Sequence, residues 1–300
     1  MTEASTGLDV GAIGLGAMGA PMAAALAEAG HRVTLWNRTT ARAETLAERT
    51  GSTVAADLAD AARPVVITVL PDLDQVRDVV ERDEGLLDGW YRHGVESPIL
   101  VVMGTVSPVA VAEWAQQVGK HGVRIVDAPV SGGVPGAEKR QLSIMVGGDK
   151  DDVNPVLGML SAMGTTVRHL GPVGSGQLAK ACNQIVVAAT LSALGEALAM
   201  ARAGGIDFET LLDLLGGGLA GSEVLRQKKQ RWIEGDYAGG GSCTNQLKDL
   251  RFCLETAQQF DIELPVTQVT TRLFEEVTRH GDGPLDHSAV LRVLEGSSLT

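Results

Sequence analysis

The chain has 300 residues, of which 44% are hydrophobic, 21% charged and 3% aromatic; a chain of this length tends to divide into two domains. Its formal net charge of -12 argues against a nucleic-acid partner, which would need clustered basic side chains to neutralise phosphates. Three cysteines, Cys182, Cys243 and Cys253, are an odd number without metal-ligand spacing, so they read as reduced thiols and not as a disulfide framework.

The opening residues MTEASTGLDV contain neither a basic segment nor an apolar one, so no secretory leader and a cytoplasmic setting are expected. A short apolar strand, Asp9 to Ile13, then runs into Gly14-Leu15-Gly16-Ala17-Met18-Gly19, followed by a helical pattern from Pro21 to Ala29. Strand, glycine-rich turn and helix in that order suit a dinucleotide. Gly14 permits the tight turn, Gly16 lets the backbone approach a pyrophosphate, and Gly19 lets the helix pack close. The anion would rest on the helix N-terminus, where unpaired N–H groups and the helix dipole favour it.

A second strand, Arg32 to Trp36, ends in Asn37-Arg38-Thr39, roughly where such folds bind the adenosine ribose. An acid there would repel a 2'-phosphate. Asn37 removes that repulsion, while Arg38 and Thr39 offer a guanidinium and a hydroxyl, so NADP is expected over NAD. Further along, Thr40 to Arg49, Asp74 onward and Pro108 to His121 read as helices alternating with the apolar strands Val65 to Leu70 and Ile99 to Met103. Unbroken Val/Ile/Leu strands between helices predict a parallel sheet covered on both faces, with ligands beyond the carboxyl ends of its strands. Leu70-Pro71-Asp72 and Gly104-Thr105 fall at that edge; Thr105 could equally cap the helix that begins near Pro108.

Val123 to Val126 is another strand, followed by Asp127-Ala128-Pro129-Val130-Ser131-Gly132-Gly133 and a return strand, Leu142 to Val146. Glycines directly after a strand free N–H groups for a carboxylate, and Ser131 adds a hydroxyl; the same run could also be a tight turn. From Gly174 to Gly205 comes the longest apolar stretch, in which Gln177, Lys180, Asn183 and Gln184 recur at three- and four-residue steps and form one polar stripe on a helix. Its Ile185 to Leu194 run, interrupted by Thr190 and Ser192, reads as too short to span a bilayer. Beyond it the patterns are helical throughout: Asp207 to Leu215, Ser222 to Trp232, Gln246 to Phe260, Pro265 to His280 and Asp286 to Leu294.

GLGAMGAPMAAALAEAGHRVTLWNRT, DAPVSGG, GSGQLAKACNQ, LKDL and DHSAVL together resemble the beta-hydroxyacid dehydrogenase family over nearly the whole chain. The resemblance implies a Rossmann-type doubly wound parallel sheet (residues 1–172), then a long interdomain helix opening an all-α C-terminal domain (residues 173–300). It implies interconversion of a small 3-hydroxyacid and its semialdehyde or keto acid with NADP, NAD being the alternative. By position, Lys180 matches the catalytic lysine and Asn183 the substrate-positioning amide. Ser131, Gly132 and Gly133 match the carboxylate loop, Thr105 a nicotinamide-side contact, and Lys248 a residue at the cofactor and substrate cleft. Gly14, Leu15, Gly16, Met18, Gly19, Asn37, Arg38, Thr39, Leu70 and Pro71 complete the expected cofactor set.

Three positions depart from the family pattern and bear on the substrate: Gly104 in place of a hydroxyl residue, Arg140 in place of a glycine, and Gly241 in place of an aromatic residue. Lys248 and Asp249 could also form nothing more than a surface ion pair, and Asp286 with Ser288 looks like a helix cap. The six histidines show no paired ligand spacing, so no metal is expected. A small-molecule substrate, no nucleic acid, no membrane, and a homodimer or homotetramer complete the expectations. The alternatives are an imine reductase on the same architecture, which usually lacks the lysine, and a non-catalytic NADP-binding scaffold.

Overall fold

Nine strands form one sheet: β1 (Asp9–Ile13), β2 (Arg32–Trp36), β3 (Thr53–Val54), β4 (Val65–Thr68), β5 (Ile99–Val102), β6 (Arg124–Asp127), β7 (Val130–Ser131), β8 (Leu142–Gly147) and β9 (Gly164–Gly171). The structure is a computed structural model and describes residues 7–296, so the leader expectation rests mostly on residues outside the described range. The strand order is β3-β2-β1-β4-β5-β6-β8-β7, with β9 paired to β8. From β3 to β6 every pairing is parallel; β8 runs antiparallel to β6 and β7, and β9 parallel to β8. The helices of this half are α1 (Gly19–Glu28), α2 (Thr40–Thr50), α3 (Leu73–Glu81), α4 (Leu86–Arg92), α5 (Pro108–Val118), α6 (Gly133–Glu138), α7 (Lys150–Val153) and α8 (Leu157–Ser161).

Alternation along the strands divides the core in two. Val65, Ile67, Ile99 and Val101 join Met22 and Leu26 of α1 on one face, while Val66, Leu100 and Val102 join Trp90 and Trp114 on the other. Successive strand side chains point to opposite faces, so a strand with both faces covered reads as a continuous apolar run. The chain turns outward in opposite directions from β1 and β4, and the carboxyl ends of this pair mark the crevice where doubly wound sheets take ligands. No element was expected between Gly148 and Pro172, yet α7, α8 and β9 lie there. β9 carries Thr165, Thr166 and Arg168 exposed at the edge of the sheet, so no apolar run announces it.

The long helix α9 spans Ser175–Ala203. Its start is held by backbone approach: a Cβ on Gly176 would meet the Met145 carbonyl oxygen at 2.3 Å, and Gly174 has φ +95°. By length and composition alone the whole of α9 could cross a membrane; the Ile185 to Leu194 run is only part of it, and Thr190 and Ser192 do not interrupt the helix. Thr190 Oγ1 donates to the Val186 carbonyl, one turn back. Inside the chain, however, α9 is a core helix: Ala188, Leu191, Leu194 and Leu198 are buried.

Contacts divide the chain into Met1–Lys180 and Ala181–Thr300. The second unit adds α10 (Phe208–Gly217), α11 (Glu223–Glu234), α12 (Cys243–Gln259), α13 (Pro265–Arg279) and α14 (Val290–Leu294); among its described residues the only extended pairing is an isolated bridge, Ser242 to Asp286. Asp207, Ser222 and Ser242 cap α10, α11 and α12 by accepting from the N–H three residues on. Trp232, Leu250, Phe274 and Val290 pack with the α9 residues. Asp286, fully buried, accepts from the Ser288 N–H (3.0 Å) and hydroxyl (2.6 Å) and from Lys228 Nζ (2.7 Å). It is therefore the expected cap and also half of a buried ion pair.

Candidate active site

At the carboxyl end of β1, Gly14 has φ +90°, and a Cβ there would meet the Val69 carbonyl oxygen at 2.5 Å. A Cβ on Gly19 would lie 1.9 Å from the Gly14 oxygen, so this glycine lets α1 start against the turn. Gly16 differs from both. Its φ is not positive and a Cβ would meet nothing within 4 Å, so nothing inside the chain requires glycine there. A group from outside approaching that backbone does require it, and a pyrophosphate is such a group. α1 has no side-chain cap and no acidic residue in its first turn, which leaves its N–H groups and dipole available to an anion. The turn fits the phosphates of a dinucleotide.

Asn37 holds this turn. Its Oδ1 accepts from the Leu15 N–H at 2.9 Å and its Nδ2 donates to the Thr39 carbonyl at 3.0 Å, so the Leu15 N–H is engaged within the chain. Met18 is half-buried at the N-cap of α1. Arg38 and Thr39 are exposed, and the Thr39 hydroxyl is not used to cap α2. Leu70 is half-buried and Pro71 exposed after β4, where Asp72 caps α3 through the Gln75 N–H.

At the end of β5, the cap of α5 is Ser107, which accepts from the Ala110 N–H, so Thr105 is not the cap. The segment around Thr105 is gripped by Gln177, a residue to which no role was assigned from sequence. Gln177 Nε2 donates to the Gly104 carbonyl at 2.8 Å, and its Oε1 accepts from the Val106 N–H at 3.1 Å. Asp127, last residue of β6, is fully buried and accepts from the N–H groups of Gly174 and Gln177, both at 2.7 Å. Burial pushes its carboxyl above the usual range, and these N–H groups partly offset the shift. Lys180, 8% exposed, follows three residues after Gln177 on the same face of α9.

Ser131 lies on β7 opposite Ser143 of β8. Gly132 (φ +133°) and Gly133 (φ +65°) then turn the chain directly into α6, so the expected hairpin carries a short helix between its strands. In the second unit Asn183 Nδ2 donates to Gln184 Oε1 (2.9 Å), and Gln184 Nε2 donates to Asp249 Oδ2 (2.7 Å). Asp249 Oδ1 stands 3.4 Å from Lys248 Nζ, which also lies over the Phe252 ring. With Asp249 only 6% exposed, this is no surface ion pair. Asn183 and Lys248 thus share one polar chain through Gln184 and Asp249. Among the described residues no group of His, Cys, Asp and Glu is arranged to hold a metal.

Residues 9–171 match the NAD binding domain of 6-phosphogluconate dehydrogenase, and residues 174–294 the NAD-binding domain of NADP-dependent 3-hydroxyisobutyrate dehydrogenase. The chain is 34% identical to 2-hydroxy-3-oxopropionate reductase of Escherichia coli, over 96% of this chain and 97% of that one. It belongs to the beta-hydroxyacid dehydrogenase family. Among solved structures, a 3-hydroxyisobutyrate dehydrogenase from Mycobacterium tuberculosis is 27% identical with a TM-score of 0.80, covering 96% of this chain and 99% of its own. One from Salmonella typhimurium, at 24% identity and TM-score 0.87 over 95% and 99%, shares the fold. As a beta-hydroxyacid dehydrogenase, the protein is an NAD(P)-dependent oxidoreductase with a Rossmann-type sheet, a long helix and a helical C-terminal region.

The three departures from the family pattern have different surroundings in this beta-hydroxyacid dehydrogenase. A Cβ on Gly104 would lie 1.9 Å from the Leu70 carbonyl oxygen, so no side chain fits there. Arg140 adopts the left-handed conformation (φ +57°) that glycine would take without strain, and its guanidinium pairs with Glu28 at the end of α1. A Cβ on Gly241 would rest 3.4 Å from the His287 ring, whose Nδ1 lies 3.1 Å from Gln246 Oε1.

Proposed function

We propose that the protein is an NADP-preferring enzyme interconverting a small 3-hydroxyacid and its semialdehyde or keto acid, with Lys180 as general acid and base. One observation carries this reading: the helix bearing Lys180 is hydrogen-bonded at its first turns to two segments at the carboxyl edge of the sheet, Asp127 and Gly104 to Val106. The glycine turn after β1 opens at the same edge.

Bound NADP supplies the hydride acceptor, and NADPH the donor. Gly16, Met18 and Gly19 take its phosphates on the turn that Gly14 and Leu15 shape, Arg38 and Thr39 the 2'-phosphate, and Leu70, Pro71 and Thr105 the nicotinamide side. Asn37 serves by holding the turn while presenting no carboxylate to the ribose. Ser131, Gly132 and Gly133 bind the substrate carboxylate, with Asn183 and Lys248 positioning the rest of the molecule. In reduction the Lys180 ammonium gives its proton to the oxygen that becomes the hydroxyl; in oxidation the neutral amine takes the hydroxyl proton. The functional division falls between residues 172 and 173, and the enzyme works in the cytoplasm.

The test is a spectrophotometric screen of NADPH and NADH with small aldehydes and keto acids, and of NADP and NAD with 3-hydroxyacids such as 3-hydroxyisobutyrate and 3-hydroxypropionate. Turnover with kcat/KM at least about ten-fold higher for NADPH than NADH is expected, the scale of one good charge-assisted bond to the 2'-phosphate. A preference for NADH would retire the NADP assignment. Turnover of cyclic imines alone would favour an imine reductase, a class whose solved structures share this fold; tight NADPH binding without turnover would favour a scaffold.

A homodimer or homotetramer fits the exposed Val186, Met200 and Leu219 of the second unit. Sedimentation at micromolar concentration should give at least a dimer, and a monomer would refute it.

A further inference from the structure

Gln177 stands out because its whole functional group is spent inside the protein. It is 1% exposed, and a buried amide is costly unless both of its ends are bonded. Both are: Nε2 donates to the Gly104 carbonyl and Oε1 accepts from the Val106 N–H. The two bonded residues flank Thr105 on either side, so the amide spans the peptide segment that presents Thr105. The same residue's backbone N–H is tied to Asp127 Oδ2. Its side chain therefore joins the loop after β5 to α9, and its main chain joins α9 to the end of β6. Lys180 comes one turn later on the same helix face.

We propose that Gln177 is a positioning residue that fixes the register of the Thr105 segment against the turn of α9 bearing Lys180. The assignment rests on the roles proposed above for Thr105 and Lys180. With both ends of its amide bonded to the Gly104 carbonyl and the Val106 N–H, Gln177 acts through the backbone of residues 104–106. Without the amide, two polar groups of that backbone lose their partner, the Val106 N–H in a buried place and the Gly104 carbonyl in a half-buried one. The segment is then free to shift, while the glycine turn and Asn37, which hold the adenosine and phosphate side, keep their own bonds.

This asymmetry gives a readout that a general loss of stability would not move. Gln177→Met, nearly isosteric and apolar, is compared with the unsubstituted protein for binding of NADPH and of ADP-ribose 2'-phosphate, which lacks the nicotinamide. NADPH affinity is expected to fall about ten-fold, the scale of one net hydrogen bond, with the fragment within about two-fold. Turnover should fall roughly a hundred-fold, as for a misplacement of about 1 Å, with substrate KM little changed. Equal weakening of NADPH and the fragment would mark a merely structural role and overturn the proposal, as would unchanged NADPH affinity and turnover.

Gln177→Glu, which keeps an acceptor for Val106 but loses the donor to Gly104, should move the same quantities in the same direction. Should neither variant fold, amide exchange on the unsubstituted protein decides. The Val106 amide should exchange slowly and be slowed further by NADPH but not by the fragment, and fast exchange there would overturn the proposal. If the unsubstituted protein turned over no substrate of the screen while the NADPH-to-fragment contrast still appeared, the reaction assignment would fall and the positioning role would stand.

Discussion

Replacing Lys180 by alanine is expected to lower turnover roughly a hundred- to ten-thousand-fold, the range of a lost general acid or base. NADPH affinity should stay nearly unchanged. A second substitution separates proton transfer from charge. Lys180→Arg keeps the positive charge, but a guanidinium does not release its proton near neutral pH, so it should fail almost as badly as alanine. Steady-state kinetics with both variants, beside NADPH titration by fluorescence, provide the measurement. If the arginine variant kept most of the activity, Lys180 would be stabilising charge and not moving a proton. If the alanine variant kept turnover within ten-fold, another group would be the acid and base.

The largest stability effect is expected far from that lysine, at the ion pair of the helical unit. Asp286 is fully buried, Lys228 Nζ lies 2.7 Å from its Oδ2, and Arg231 Nε stands farther off at 3.8 Å. Lys228→Met leaves the carboxylate in place without its closest counter-charge, and the loss is expected to be about 3 kcal/mol, at the low end for a broken buried pair because Arg231 remains. In the unsubstituted protein burial pushes the Asp286 carboxyl up, but the charges of His287 and Lys228 and the bonds from Lys228 and Ser288 outweigh it, so it titrates below the ordinary carboxylate range. A lowered folded pKa means that this stabilisation is complete above the ordinary carboxylate pKa and is lost as pH falls through the lowered one. In Lys228→Met the desolvated carboxyl gains by taking a proton, so the variant's deficit should shrink toward acid pH. Urea unfolding of both proteins at neutral pH and near pH 4 tests this; an equal deficit at the two pH values would count against the ion pair as its source.

What the sequence makes legible is what lies close along the chain. GxGxxG sits between its strand and its helix, and the caps Asp207, Ser222 and Ser242 bond only three residues ahead, so each can be read from a window of a few residues. Apolar strands such as VVIT and ILVV declare themselves because both of their faces are covered. Asp127 does not, because its partners lie 47 and 50 residues away. Nor does Gln177, which bonds across 71 and 73 residues. Its only local signal was its place in the polar stripe, three residues before Lys180. The close approach of the Leu70 carbonyl to Gly104 and the pairing of Arg140 with Glu28 are likewise contacts between segments far apart in the chain.

The bonds to Asp127 also bear on where this protein could be cut. A fragment ending at residue 172 would contain every strand of the sheet and every matched residue of the first NAD-binding domain. It would nonetheless remove the Gly174 and Gln177 N–H groups from a fully buried carboxyl. An unsatisfied buried acceptor costs about 1–3 kcal/mol, more when charged, and a domain has only about 5–15 kcal/mol in all. The dinucleotide module is therefore not self-sufficient at the end of β6. An excised or transplanted version would have to carry the opening turns of the helix with it.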